Sequence, residues 1–176
     1  MPFDFPILYF IQDHIVSPIL NPVMIFASAS GEFGILWFII AISMLFFKKT
    51  RKWGVAIICA MALAFVAGEL IIKNIVCRVR PCNQDFAVQM LIEKPIGYSF
   101  PSSHSATSFA VATVIFAKYK KLGALALLYA GVIAFSRMYL FVHFPSDVVV
   151  GALLGIVSGI IILAIYKKYF IEETKI

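Results

Sequence analysis

"SRMYLFVHFPSD", residues 136–147, sets Arg137, His143 and Asp147 between two apolar runs, 122–141 and 144–166. A helix needs about 20 residues to cross ~30 Å of hydrocarbon, and each run is long enough. A charge at mid-bilayer costs about 2.5–3.5 kcal/mol on insertion scales, and less near the interface. The stretch therefore reads as the turn between two spans. Its charges read as groups that pair or bind something.

Three further apolar runs precede it, at 33–47, 53–76 and 102–117. The first is short and extends back into 26–32; the last opens with polar residues. Residues 5–30, "FPILYFIQDHIVSPILNPVMIFASAS", are apolar but interrupted by Asp13, His14, Pro18 and Pro22. They read as an interfacial helix and a bent approach to the first span, with a sixth crossing as the alternative. The expected fold is all-α: a polytopic transmembrane helical bundle of five to six spans, one domain over residues 1–176.

Composition agrees. The 176 residues are 62% hydrophobic and 14% charged, and the mean hydropathy is +0.97. Soluble domains average about half apolar and about a quarter charged. The start, "MPFDFPILYF", has no basic n-region and carries Asp4 early, so no cleavable signal peptide is expected. The net charge of +6 sits largely in clusters beside apolar runs, at 48–52, 118–121 and 167–168. That placement excludes the basic stripe with interleaved aromatics of a nucleic-acid binder. The clusters follow the first, third and fifth spans, so all three share one side, the cytoplasmic one. Segments 77–101 and 137–147 then share the opposite face.

That face holds most of the remaining functional groups. Lys73 and Arg80 flank the end of the second span; Ser102, Ser103 and His104 open the third; Arg137, His143 and Asp147 lie between the fourth and fifth. Arginine presents a planar fork matched to phosphate oxygens, and lysine a point charge. "FPSSH" reads as a helix start with Pro101 near the first helical position, and free N–H groups there bind anions. "FPSD" repeats the pattern, with Pro145 opening the fifth span and Asp147 in its first turn. Two histidines suit a displacement at phosphorus, one attacking and one protonating the leaving oxygen. His143 and Asp147 are four apart, so the carboxylate can hold one ring nitrogen and leave the other to attack. His104 is then the general acid.

Lys73, six residues, Arg80-Pro81; Pro101-Ser102-Ser103-His104; and Ser136-Arg137, five residues, His143, three residues, Asp147 resemble the three-part signature of the type 2 phosphatidic acid phosphatase superfamily. The resemblance covers residues 73–147. It implies a metal-independent, cofactor-free lipid phosphatase with a helical-bundle fold. It also implies a phosphohistidine at His143 assisted by Asp147, with His104 as the acid. Lys73, Arg80, Ser102, Ser103 and Arg137 hold the phosphate. One position departs: the second block usually reads Pro-Ser-Gly-His, and Ser103 replaces the glycine. Activity is expected to persist, with geometry or substrate preference altered. The implied partners are a phosphorylated membrane lipid and the bilayer, with no nucleic acid. The implied location is the bacterial cytoplasmic membrane with an extracytoplasmic site. Undecaprenyl pyrophosphate is the preferred substrate by family analogy; phosphatidylglycerol phosphate and phosphatidic acid are close alternatives, and a lipid A phosphatase stays open.

Other features carry weaker expectations. Cys77 and Cys82 bracket Arg80 and form either a disulfide or two free thiols; Cys59 reads as packing. Gly97–Phe100, Tyr139, Phe141 and Phe144 line a lipid entrance or form an aromatic belt. Asp85 and Glu93 belong to a solvated outer loop or tune headgroup choice. Glu69 pairs with Lys73 at i, i+4. Ser136 makes a helix–helix hydrogen bond. Two rival readings remain: a metal site built from His104, His143, Asp147 and a cysteine, and a transport or lipid-binding scaffold without turnover.

Overall fold

The computed structural model describes residues 1–170, with side chains to Lys168. Every regular element among them is helical. Helix α1 spans Asp4–His14 and α2 Asn21–Ser30, with Asn21 and Pro22 opening the latter. Helix α3 spans Ile35–Leu45, α4 Arg51–Phe65, α5 Lys73–Val76, α6 Ser103–Lys118, α7 Lys120–Tyr139 and α8 Pro145–Phe170. The five apolar runs thus become α3, the α4–α5 rod, α6, α7 and α8.

Three helical stretches among the described residues are long and apolar enough to cross a membrane: Arg51–Asn83, Lys120–Tyr139 and Pro145–Lys168. A fourth arises if α2 and the stretch Glu32–Leu45, bent by 51°, count as one broken span. The break is a single 3-10 turn, Glu32–Gly34, where Phe33 and Gly34 take positive φ of 49° and 67°. Left-handed backbone turns the chain without continuing the helix. The chain is an integral membrane protein, and its surface shows why. Ile39, Leu125, Leu128 and Ile160 face outward at 54–69% exposure, while Ser105, Ser108, Ser136 and Arg137 are buried. That inverts the usual soluble arrangement.

Helix α6 is the hub, packed against α4, α7 and α8. Its contact with α8 is backbone-close because Gly151, Gly155 and Gly159 recur every fourth residue on α8. A Cβ at Gly155 would stand 2.2 Å from the Ala106 carbonyl oxygen, and one at Gly151 would stand 2.5 Å from that of Ser102. Small residues at such an interface let van der Waals contact replace the hydrophobic drive that lipid removes. Trp37 Nε1 donates to Ser108 Oγ at 2.9 Å and ties α3 to this hub. Ser136 donates to the Ile133 carbonyl within its own helix, at 2.7 Å, rather than across a helix pair.

The basic clusters gather at one end. Trp53 packs against Tyr166 with ring centroids 4.6 Å apart and planes tilted by 41°, and Lys118 Nζ lies 5.5 Å from the Trp53 ring. At the other end the loop after α5 meets the α7–α8 turn, through Arg78 to Ser146 and Arg80 to His143. Helix α1 closes this end. Leu8 and Ile11 pack with Tyr139, Phe141 and Phe144 in a second core cluster. Those aromatics are at most 1% exposed, so they form neither an entrance nor a belt: α1 covers them. Cys77, Cys82 and Cys59 are all free thiols. Cys82 is buried in the second cluster, Cys77 Sγ turns back to the Asn74 carbonyl at 3.1 Å, and Cys59 is exposed on α4 rather than packed inside.

Candidate active site

A cavity of about 760 Å³ opens between α3, α4, the outer loop and the start of α6. Phe38, Ile58, Met61 and Phe65 line one part; Glu69, Lys73, Arg80, Ser103, His104, Arg137 and His143 line the other. An apolar groove that ends on three cations suits a molecule with a hydrocarbon tail and an anionic head.

The cations are placed by the fold. A π-helical segment, Val66–Ile72, widens the second long helix just before Lys73, a distortion common at functional sites. Lys73 Nζ lies 2.5 Å from Glu69 Oε2 and 3.2 Å from Ser103 Oγ, so the expected i, i+4 pair forms. Arg80 is 5% exposed. Its Nε donates to the Gly97 carbonyl at 3.0 Å and its Nη1 to the Val142 carbonyl at 3.1 Å. Nη1 also lies 3.1 Å from His143 Nε2. Arg137 Nη1 donates to Ser28 Oγ, while the buried Arg137 Nε has no partner.

The imidazoles sit either side of these groups. His143 lies in the α7–α8 turn, 2% exposed, with Nδ1 3.5 Å from Asp147 Oδ2. Asp147 is fixed by its other contacts: Oδ2 accepts from the Phe144 N–H at 2.9 Å and Oδ1 from Arg78 Nη1 at 2.6 Å. Burial, and then the charges of Arg80 and Arg137, hold the His143 pKa well below 6.5. His104 Nε2 is 3.4 Å from Glu32 Oε2 and has no hydrogen-bond partner. A buried donor left unmade costs about 1–3 kcal/mol. Arg137 Nε and His104 Nε2 are two such groups on one cavity, and an oxyanion would satisfy both.

Seven of the eight residues singled out from the sequence meet here or brace the group that does. Asp147 acts from behind His143. Ser102 does not line the cavity: it is the N-cap of α6, its Oγ accepting from the Ser105 N–H at 3.4 Å and from Ser105 Oγ at 3.1 Å. The helix therefore begins at Ser103, two residues beyond Pro101. Ser103 lines the cavity and donates to Glu69.

Sequence reasoning missed Arg78, Asp4 and Glu32. Arg78 joins Asp147 to Asp4 Oδ2, the latter at 2.6 Å, and its guanidinium stacks 3.8 Å over Phe144. Asp4 is 1% exposed and accepts from the Ser146 N–H and hydroxyl at 3.1 and 2.8 Å. Burial opposes its ionisation, but bonds from Arg78, the terminal amine and Ser146 outweigh that and lower its pKa from 3.8 to about 2. Asp85 and Glu93 lie away from the cavity; Asp85 accepts from Tyr9 Oη at 2.8 Å. Among the described residues no three His, Cys, Asp or Glu side chains group to hold a metal, so the rival ligand set is not assembled.

Fold and site define a membrane protein built around a cavity lined by three cations and two imidazoles, and known proteins share its fold. The chain resembles the structure of Aquifex aeolicus LpxE with a TM-score of 0.81 and 32% identity, over 92% of this chain and 95% of that one. It resembles a PAP2-type phosphatidylglycerolphosphate phosphatase from Bacillus subtilis with a TM-score of 0.73 and 26% identity, over 92% and 84%. It is 34% identical over 137 residues to an undecaprenyl-diphosphatase of Sulfolobus acidocaldarius. That match covers 77% of this chain and 66% of the relative, so the chain spans about two thirds of that protein's length. Residues 52–171 match the PAP2 superfamily. The chain belongs to the PAP2 superfamily, among membrane phosphatases of lipid phosphates and diphosphates.

Proposed function

We propose that this protein is a metal-independent lipid phosphatase that works through a phosphohistidine on His143. The observation that carries the reading is the contact between Arg80 Nη1 and His143 Nε2 at 3.1 Å, on a cavity that also holds His104, Lys73 and Arg137. A phosphate that takes over the Arg80 Nη1 donor frees the Nε2 lone pair to attack it. Nε2 forms a bond to phosphorus as the bond to the leaving oxygen breaks, and His104 gives that oxygen a proton. Water then attacks phosphorus, His104 takes its proton, and the P–N bond breaks to release inorganic phosphate and neutral His143. Asp147 holds the Nδ1 proton throughout. The Lys73, Arg80 and Arg137 donors and the α6 N-terminus stabilise the charge of the transition state.

The preferred substrate is undecaprenyl pyrophosphate, supported by the apolar part of the cavity and the resemblance to the archaeal diphosphatase. Phosphatidylglycerol phosphate is the competing substrate, favoured by the Bacillus subtilis structure, and phosphatidic acid is a third. In our reading the bent α2–α3 pair, the α4–α5 rod, α6, α7 and α8 make five crossings of a single domain. Helix α1 lies at the interface. The basic end faces the cytoplasm, which puts the cavity on the outer face of the bacterial cytoplasmic membrane.

Phosphate release by the purified chain in detergent, with chelator present, tests this. Run over the three lipids, turnover of one that His143→Ala loses supports the reaction and names the substrate. Turnover that the variant keeps sinks the nucleophile, and binding without turnover revives the scaffold reading.

A further inference from the structure

Glu69 is an odd group to find among phosphate ligands. Its carboxylate lines the same cavity as Lys73, Arg80 and Arg137, and a fixed negative charge there repels an incoming anion. Its contacts are specific. Oε2 takes Lys73 Nζ at 2.5 Å and also accepts from Ser103 Oγ, while Lys73 Nζ lies 3.2 Å from that same hydroxyl. The three side chains close a triangle, and two of its corners are groups expected to hold phosphate. The second carboxylate on the cavity, Glu32, faces His104 instead, so it does not compete for Lys73.

We propose that Glu69 is an internal competitor for the phosphate group: its carboxylate stands in the anion position between Lys73 Nζ and Ser103 Oγ and withdraws when a phosphate oxygen takes its place. This rests on reading the cavity as a phosphate site. Glu69 sits on the π-helical segment and its side chain is 32% exposed, so it has somewhere to go. Ser103, where the family pattern usually has glycine, completes the arrangement. Its hydroxyl supplies the second anchor for the carboxylate, which a glycine at that position would lack. The device weakens binding of every phosphate, substrate and product alike, and so speeds release of inorganic phosphate after each turnover.

The test is the inhibition constant of inorganic phosphate against lipid hydrolysis, measured on the full chain in detergent for wild type, Glu69→Gln and Ser103→Gly. Glutamine keeps the shape and removes the charge; glycine removes the hydroxymethyl side chain and keeps the backbone N–H. The constant is expected to fall about tenfold in Glu69→Gln and about threefold in Ser103→Gly, with KM for the lipid falling in step. An unchanged or raised constant in a folded Glu69→Gln protein overturns the proposal. If that variant does not fold, an unchanged or raised constant in Ser103→Gly does so. A wild type that neither hydrolyses lipid nor broadens the phosphorus resonance of added phosphate overturns the phosphate reading of the cavity, and this inference with it. Wild-type turnover with a constant indifferent to both substitutions overturns this inference alone.

Discussion

An arginine has no acceptor to offer. Where Arg80 Nη1 meets His143 Nε2 at 3.1 Å, the imidazole must accept, so its proton sits on Nδ1, facing Asp147. The ring is thereby held neutral with Nε2 toward the cavity, and burial with the neighbouring cations lowers its pKa well below 6.5. Lowering favours the neutral form, so the rate is expected to hold as pH falls through 6.5 and to drop only below that shifted value. A pH profile of kcat/KM with its acid limb centred above 6.5 contradicts this. Asp147→Asn frees the other tautomer and is expected to cost about 10²–10⁴-fold in kcat with KM nearly unchanged, read by steady-state kinetics. The nearness of His143 to Asp147 was legible because a spacing of four across the start of a helix brings the side chains together. Arg78 was not. It lies two positions from Arg80 in "CRVRP", and no spacing rule says that one arginine faces the cavity while the other turns behind Asp147. Ser102 misled for a related reason: a serine before a helix is as good a cap as an anion ligand.

Helices were legible wherever an apolar run was long, and the polar openings of α6 and α8 marked the end that holds the cavity. The breaks were not. The turn at Glu32–Gly34, bracketed by Gly31 and Gly34, and the π-helical segment at Val66–Ile72 both lie against α6, inside or beside runs that read as continuous apolar sequence. Tyr139, Phe141 and Phe144 read as membrane-interface residues because composition cannot foresee that α1 folds over them. At this scale the α6–α8 contact is the part most exposed to test. A methyl at Gly155 meets the Ala106 carbonyl oxygen at 2.2 Å, and backbone cannot yield as a side chain does. Gly155→Ala is expected to lower stability by about 1–3 kcal/mol, read as a lower melting temperature in detergent. Activity is expected to fall with it, since α6 carries His104. A melting temperature equal to wild type contradicts the close packing.

Across the whole molecule, the first helix reaches the His143 turn through one chain of charges, from Asp4 to Arg78 to Asp147, whose Oδ2 faces His143. The N-terminal segment is thus a structural part of the end that holds the cavity, where the sequence read as an interfacial helix with a sixth crossing as the alternative. With its pKa lowered to about 2 from 3.8, Asp4 adds stability that is present above pH 3.8 and lost as pH falls toward 2. Asp4→Asn breaks the chain of charges at neutral pH. It is expected to raise hydrogen exchange in α1 and to lower kcat roughly tenfold with little change in KM. Unaltered exchange and kcat would separate α1 from the site. The central claim is the covalent step, and rapid quench with phosphorus-labelled lipid reaches it most directly. The account predicts an acid-labile, alkali-stable phosphoprotein mapping to His143 and absent from His143→Ala. Label on any other residue, or full turnover with no labelled protein at any quench time, would contradict it.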